Sequence, residues 1–465
     1  MEFYASMDTG GNIPMKKLEH NLSEGSVLKQ MILFAIPFIL SSIVQNLYGL
    51  VDLIVIGQFA GAASLAGVNT SSSYISGVTN IAIGFCNGGT VVIGQYLGMQ
   101  NREKLSKSIG TLCTFIALLA VFLAAVTLLL RTDLLRLLQT QSEAWDEAMI
   151  YLVISAIGFL FIFGYNVLSS ILRGMGESRA PFVFICIACA INVVLDVVLV
   201  GAFSMGAAGA ALATILAQGI SMLLCILYLK RNDFVFDFRL RSFRIDREML
   251  GVLLKVAIPT TLQSSVSVFA FTVLTAVTNT LGVIAAAAMA GGQKITLFGI
   301  LPSIAIGNAN AAMCAQNFGA DRQDRALKTM KVTYFLTLGI NLLLFAIIEL
   351  FPGTFMRAFG SDPELIEQGI IYLRWCTLDF LFVPFQSALT GYLIGAGRTT
   401  LPAVLSVLSS LALRAPLAWL IGVKLGLGIF GVAVATPCAS FTVGIYCLVY
   451  MLSGRCRRIQ RAIHD

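Results

Sequence analysis

Apolar runs of about twenty residues, the length an α-helix needs to cross the hydrocarbon of a bilayer, recur twelve times in this 465-residue chain. They lie near residues 31–57, 65–97, 107–130, 146–170, 180–202, 206–229, 249–280, 284–316, 328–351, 366–391, 400–422 and 428–452. A chain in lipid must satisfy its own backbone hydrogen bonds, so segments of this length can only pack as helices. The expected fold is all-α, a polytopic membrane protein of twelve transmembrane helices. Composition agrees: 57% of residues are hydrophobic and 12% charged, about half the charged share of a soluble domain.

Charge placement gives the orientation. With the N-terminus inside, 23 Lys and Arg fall in the segments on that side. The opposite loops hold four: Arg131, Arg136, Arg357 and Lys424. Such a bias puts both termini in the cytoplasm and the chain in the cell inner (plasma) membrane. The net charge of +7 comes in short clusters between apolar runs rather than in a stripe with interleaved aromatics, so the expected partner is the bilayer and not nucleic acid. The first thirty or so residues are polar and lack an early apolar segment, so no cleavable signal peptide is expected.

Enzymatic chemistry finds no footing in these residues. The histidines, His20 and His464, sit in the polar tails, away from the apolar core where a general base would be needed. No GxSxG, HExxH or Walker A pattern occurs, which also argues against ATP-driven export. The ten cysteines are scattered singly and read as reduced packing residues. Cys186 and Cys189 form a CxxC in mid-span without a second pair, so packing is the preferred reading over metal.

The chain repeats itself. LRGMGESRAP from Leu172 recurs as LIGAGRTTLP from Leu393, and GQYLG from Gly94 recurs as AQNFG from Ala315, at the same separation in sequence. SMGAAGAALAT from Ser204 answers LGIFGVAVAT from Leu427, and AIPF from Ala35 answers AIPT from Ala257. Six spans separate the copies, so each half starts on the same side and the halves are related by an axis along the membrane normal. The expected division is a cytoplasmic segment 1–30, a first lobe 31–229, a basic linker 230–248, a second lobe 249–452 and a tail 453–465. The linker, KRNDFVFDFRLRSFRIDRE, fits either an interfacial strap on anionic headgroups or a solvated connection.

Polar residues inside the spans are the candidate functional groups. In AINVVLDVVLV, Asn192 and Asp196 stand four apart on one helix face, and a mid-span carboxylate costs at least about 2.5 to 3.5 kcal/mol on insertion scales. Tyr48 and Asp52 repeat the spacing on the first span. Two carboxylates in one poorly hydrated cavity do not both ionise cheaply, so one should hold a proton near neutral pH or be neutralised by a bound cation. In the second half, Lys294, Arg374, Asp379 and Arg414 lie within spans. Asp379 is expected to form a structural charge pair with Arg414 or Lys294, with substrate contact the alternative. Pro37 and Pro259 occupy equivalent repeat positions and should kink their spans, as static bends in preference to hinges.

Two halves carrying GQxxG after the second and eighth spans, LRGxGxxxxP before the fifth and GxxGAAxAT opening the sixth resemble the multidrug and toxic compound extrusion (MATE) transporters over about residues 28–455. The resemblance implies a two-lobed helical bundle that opens to one side at a time. It implies export of organic, often cationic compounds in exchange for protons or sodium ions, with no other cofactor and a monomeric chain. The branch with its cation site in the N-terminal lobe is the nearer match, through Pro37, Tyr48 and Asp52. Its fourth-helix Tyr and Asn look like Tyr151 and Asn166, its fifth-helix Asn and Asp match Asn192 and Asp196, and its sixth-helix Thr matches Thr214. For sodium, the Asn192 amide oxygen and the Thr214 hydroxyl would add ligands to the two carboxylates. Another branch uses a Glu in the seventh helix, where this chain has IPTTLQSSVSVFAFT from Ile258 and no acid. The alternative function is a lipid-linked oligosaccharide flippase of the same architecture. Its cavity should be rich in Arg for pyrophosphate, whereas this N-terminal half places two acids in its spans.

Overall fold

A computed structural model describes residues 20–232 and 234–458. Lys16, Lys17, Arg461 and His464 lie outside the described residues, as do the rest of 1–19 and 459–465. The first half comprises α1 (Val27–Phe59), α2 (Gly61–Gly98), α3 (Arg102–Leu137), α4 (Trp145–Ile157), α5 (Phe159–Gly174), α6 (Arg179–Asp196) and α7 (Gly206–Arg231). The second comprises α8 (Arg247–Asn279), α9 (Val283–Gly319), α10 (Gln323–Leu350), the short α11 (Pro352–Arg357), α12 (Pro363–Cys376), α13 (Val383–Gly395), α14 (Thr400–Val407), α15 (Ala415–Ala418) and α16 (Gly428–Leu452). Among the described residues, ten helical segments are long and apolar enough to span a membrane, and counting each of two bent pairs, α4 with α5 and α12 with α13, as one span brings the number to twelve.

The bends are at 50° and 43°. The first falls at Gly158, where a β-carbon would overlap the Ile215 side chain of α7. α1 runs on through Pro37 and α8 through Pro259 as continuous helices. In α1, the Ser41 hydroxyl donates to the Pro37 carbonyl at 2.7 Å, a local side-chain bond of the kind that lets a helix carry a proline in apolar surroundings. Two spans depart from α geometry. α6 continues as a π-helix over Val197–Ala202, and α14 leads into π turns over Leu408–Arg414 and Trp419–Lys424.

Turns between spans obey the repeat. Gly61 and Gly282, Gly176 and Gly397, and Gln100 and Asp321 all have positive φ, and the two members of each pair stand at equivalent positions of the repeat. The same backbone reversal therefore recurs at the same place in both halves. Asn101 and Asp246 cap α3 and α8 by accepting from Lys104 N and Met249 N, each at 3.0 Å, which satisfies first-turn donors left free by helix geometry.

Large apolar side chains cover the outside as well as the inside: Leu129 is 82% and Val283 86% exposed. In a water-soluble protein such a surface would aggregate, and in a bilayer it faces lipid. The linker's aromatic residues pack on the first half. Phe236, 3% exposed, stacks edge-on with Phe238 and Phe243, and Thr111 of α3 accepts from Asp246 N at 3.1 Å. Its Arg239, Arg241 and Arg244 stay exposed.

Candidate functional site

Four helices of the first half, α1, α4, α6 and α7, bring the polar residues together. Asp52 near the far end of α1 meets Asn192 and Asp196 at the end of α6, all buried in the span region. With its nitrogen turned toward the acids, the Asn192 amide donates to Asp52 Oδ1 at 2.7 Å and to Asp196 Oδ2 at 3.1 Å. The opposite orientation would face oxygen against oxygen. Tyr48, Tyr151 and Thr214 complete the cluster from α1, α4 and α7, as polar neighbours of the two carboxylates. By the rise of an α-helix, these side chains lie about 10 Å inside the helix ends of the face opposite the basic loops. Asp196 is therefore beyond the middle of its span, whereas the apolar run alone would centre it.

Buried oxygens in this cluster lack partners. The Tyr48 hydroxyl, the Thr214 hydroxyl and Asp196 Oδ1 make no well-aligned hydrogen bond, although Thr214 lies close to Tyr48, Asp52 and Tyr151. A buried polar atom left without a good partner costs about 1 to 3 kcal/mol, which marks this cluster as the candidate site. Oxygen-only donors suit a proton or a hard monovalent cation. In this orientation the Asn192 amide is a donor that ties the two acids together, with Tyr48 and Thr214 beside them.

Asn166 is not brought to this cluster. It stands fifteen residues after Tyr151, about 22 Å further along the bent span, and its amide donates to Ile162 O in its own helix at 2.8 Å.

The repeat shows what the second half makes of the same place. In the register that pairs Gln95 with Gln316, Tyr372 answers Tyr151 and Leu417 answers Asp196. In the register that pairs Pro37 with Pro259, Leu274 answers Asp52. Leu274, Tyr372 and Leu417 join one apolar cluster with Cys376. At the equivalent positions the second half places an apolar cluster in place of the acids.

Asp379 lies beside that cluster, 4% exposed, with Oδ1 unpartnered. Among the described residues no salt bridge joins it to Arg414 or Lys294. Arg414 is an electrostatic neighbour whose guanidinium carbon sits 5.6 Å from the Phe271 ring centroid, and Lys294 is exposed. The expected neutral pair is thus not closed by a direct bond, and Arg414 stays an electrostatic neighbour of Asp379.

A bundle of two repeated six-span halves, with a buried acid pair in one half and an apolar cluster in its counterpart, has the architecture of a membrane transporter. The sequence profile of the MatE family matches residues 37–198 and again 259–420. The chain belongs to the multidrug and toxic compound extrusion family, and is a transporter rather than an enzyme. It is 30% identical over 431 residues to the probable multidrug resistance protein YpnP of Bacillus subtilis (strain 168), covering 91% of this chain and 96% of that one. The probable multidrug resistance protein YoeA of the same organism is 27% identical over 92% of this chain and 94% of its own. Among solved structures, a MATE crystal structure in a bent conformation superposes with a TM-score of 0.90 at 23% identity, over 97% of this chain and all of that one. An outward-facing MATE family transporter gives 0.89 at 23% identity, over 96% and 99%. These last two are likenesses of fold.

Proposed function

We propose that this chain exports organic, often cationic and amphipathic compounds across the cell inner membrane in exchange for protons or sodium ions. The lobes 31–229 and 249–452, joined by the linker 230–248, alternate access to a cavity between them, and both termini face the cytoplasm. The chain acts as a monomer. Asp52 and Asp196 hold the coupling ion as one unit, in the manner of the family branch with an N-lobe site. Asn192 fixes their separation, Tyr48 and Thr214 offer further oxygens, and Tyr151 closes the cluster from α4. Asn166 and the second-half residues Asp379, Arg414 and Lys294 lie outside that unit.

The observation that carries this reading is the Asn192 amide bonded to one carboxylate from each of two helices, beside buried oxygens with no well-aligned partner. An ion arriving there couples α1 to α6, and an ion leaving releases them. The names of the curated relatives support organic efflux as the cargo side of the exchange.

The test is export of a fluorescent organic cation by purified protein in liposomes, with a proton gradient and a sodium gradient imposed separately. Export under at least one gradient, and not without one, is the expected result. Equal flux with and without both gradients would refute coupled exchange.

A further inference from the structure

The motifs that betray the repeat take no part in the acid site, yet in the structure they meet one another across the two halves. Gln95 of GQYLG is 0% exposed and its Nε2 donates to the Gly395 carbonyl, in the LIGAG of the other half, at 2.6 Å. Gln316 of AQNFG is 2% exposed and its Nε2 donates to the Gly174 carbonyl, in the LRGMG of the first half, at 3.0 Å. The two donors are repeat equivalents and so are the two acceptors, so the two bonds are one contact made twice about the repeat axis.

Glycines let the helices come this close. A β-carbon at Gly98 would overlap the Gln316 carbonyl oxygen, and one at Gly319 would overlap that of Gln95. These too are equivalent positions, where α2 and α9 cross at their basic-face ends. A buried primary amide reaching into the opposite half is costly unless bonded, so the arrangement favours the state in which the halves touch here.

We propose that Gln95 and Gln316 form a reciprocal latch that holds the basic face shut, and that both bonds break each time the transporter opens to that side. They are positioning residues for the transport cycle. The inference rests on the alternating-access reading above. The two latches differ in one respect. Gln316 Oε1 also accepts from Leu22 N at 3.0 Å, which ties in the segment before α1, whereas Gln95 Oε1 is buried with no partner.

The experiment is hydrogen–deuterium exchange on the full chain in liposomes without substrate or gradient, comparing wild type with Gln95→Met, Gln316→Met and the double variant. One neutral hydrogen bond shifts an equilibrium by roughly 2- to 12-fold. Exchange at residues 95–101 and 316–322 should rise by about that factor in each single variant and further in the double. Residues at the opposite face, 145–150 and 206–212, should exchange more slowly, because opening one side closes the other. Gln95→Asn, one methylene short and still polar, should act like Gln95→Met and covers the case where the methionine variant does not fold.

Faster exchange at both faces would mean loosened packing and overturn the latch. So would no change in any variant. An effect of Gln316→Met alone would assign the closure to the Leu22 contact instead. Since the readout needs neither cargo nor ion, failure here is separable from failure of the coupled-exchange assay.

Discussion

Asn192 decides how the two acids behave, because its one amide serves both. Replacing it by Leu leaves two buried carboxylates with no shared donor. Loss of such a bond is worth about 1 to 3 kcal/mol, so the apparent affinity for the coupling ion should change by roughly 5- to 150-fold, read as the concentration of sodium or protons that half-stabilises the protein against heat. An unchanged midpoint would remove Asn192 from the site. A second residue, Glu177, fastens the segment before α1. It accepts from His20 at 2.9 Å and from the Arg179 and Ala180 amides at 2.7 and 3.1 Å. Burial works to raise its carboxyl, but His20 and these amides outweigh burial and hold it below its ordinary value of 4.5. Since the folded value is depressed, its contribution is fully present above about 4.5 and is lost as pH falls through the lower folded value. Protease sensitivity of residues 20–26 should therefore rise on acidification through that range, and Glu177→Gln should show the rise already at pH 7. The acids were legible in the sequence because a carboxylate inside an apolar run has few reasons to be there. The direction of the Asn192 amide was not, since one residue type offers both a donor and an acceptor and only the facing atoms choose between them. Gln95 and Gln316 were visible as a motif, but their bonds depend on how the two halves cross.

At the scale of elements, apolar length foretold the spans, while the breaks within them came from packing. The sequence pointed to Pro37 and Pro259 as kinks and gave no sign of the bends at Gly158 and between α12 and α13. A proline marks itself, whereas Gly158 resembles any other glycine in a span until the Ile215 side chain is laid against it. Gly158→Ala should overpack this contact at a cost of about 1 to 3 kcal/mol, seen as a lower melting temperature in detergent. Adding Ile215→Ala should recover much of that loss by making room. Additive destabilisation by the two changes would show that the bend does not depend on this contact. The π-helical end of α6 is equally local: it begins just after Asp196 and gives the carboxylate a backbone setting that hydrophobic periodicity does not encode. The linker's phenylalanines pack inward on α3 and its neighbours, a contact that neither reading of the linker's composition contained.

For the whole molecule, the two halves share a backbone plan and differ at the acid cluster. The turns and the Gln95 and Gln316 contacts keep the repeat's symmetry, and the acid cluster breaks it, with Leu274 and Leu417 standing where the first half has Asp52 and Asp196. Orientation can be checked at the exposed linker residue Arg241. In a background lacking the native cysteines, Arg241→Cys should react with an impermeant thiol reagent only from the cytoplasmic side, and labelling from outside would reverse the topology. The central claim is that Asp52 and Asp196 form one ion-binding unit that drives export. It is tested most directly by measuring gradient-driven export of a fluorescent cation for the wild type, Asp52→Asn, Asp196→Asn and the double variant, reconstituted at equal density. Residues acting as a unit are strongly non-additive, so each single variant should lose gradient-driven export while still inserting, and the double should be little worse than either. Near-normal export by one single variant, or losses that multiply in the double, would contradict the account.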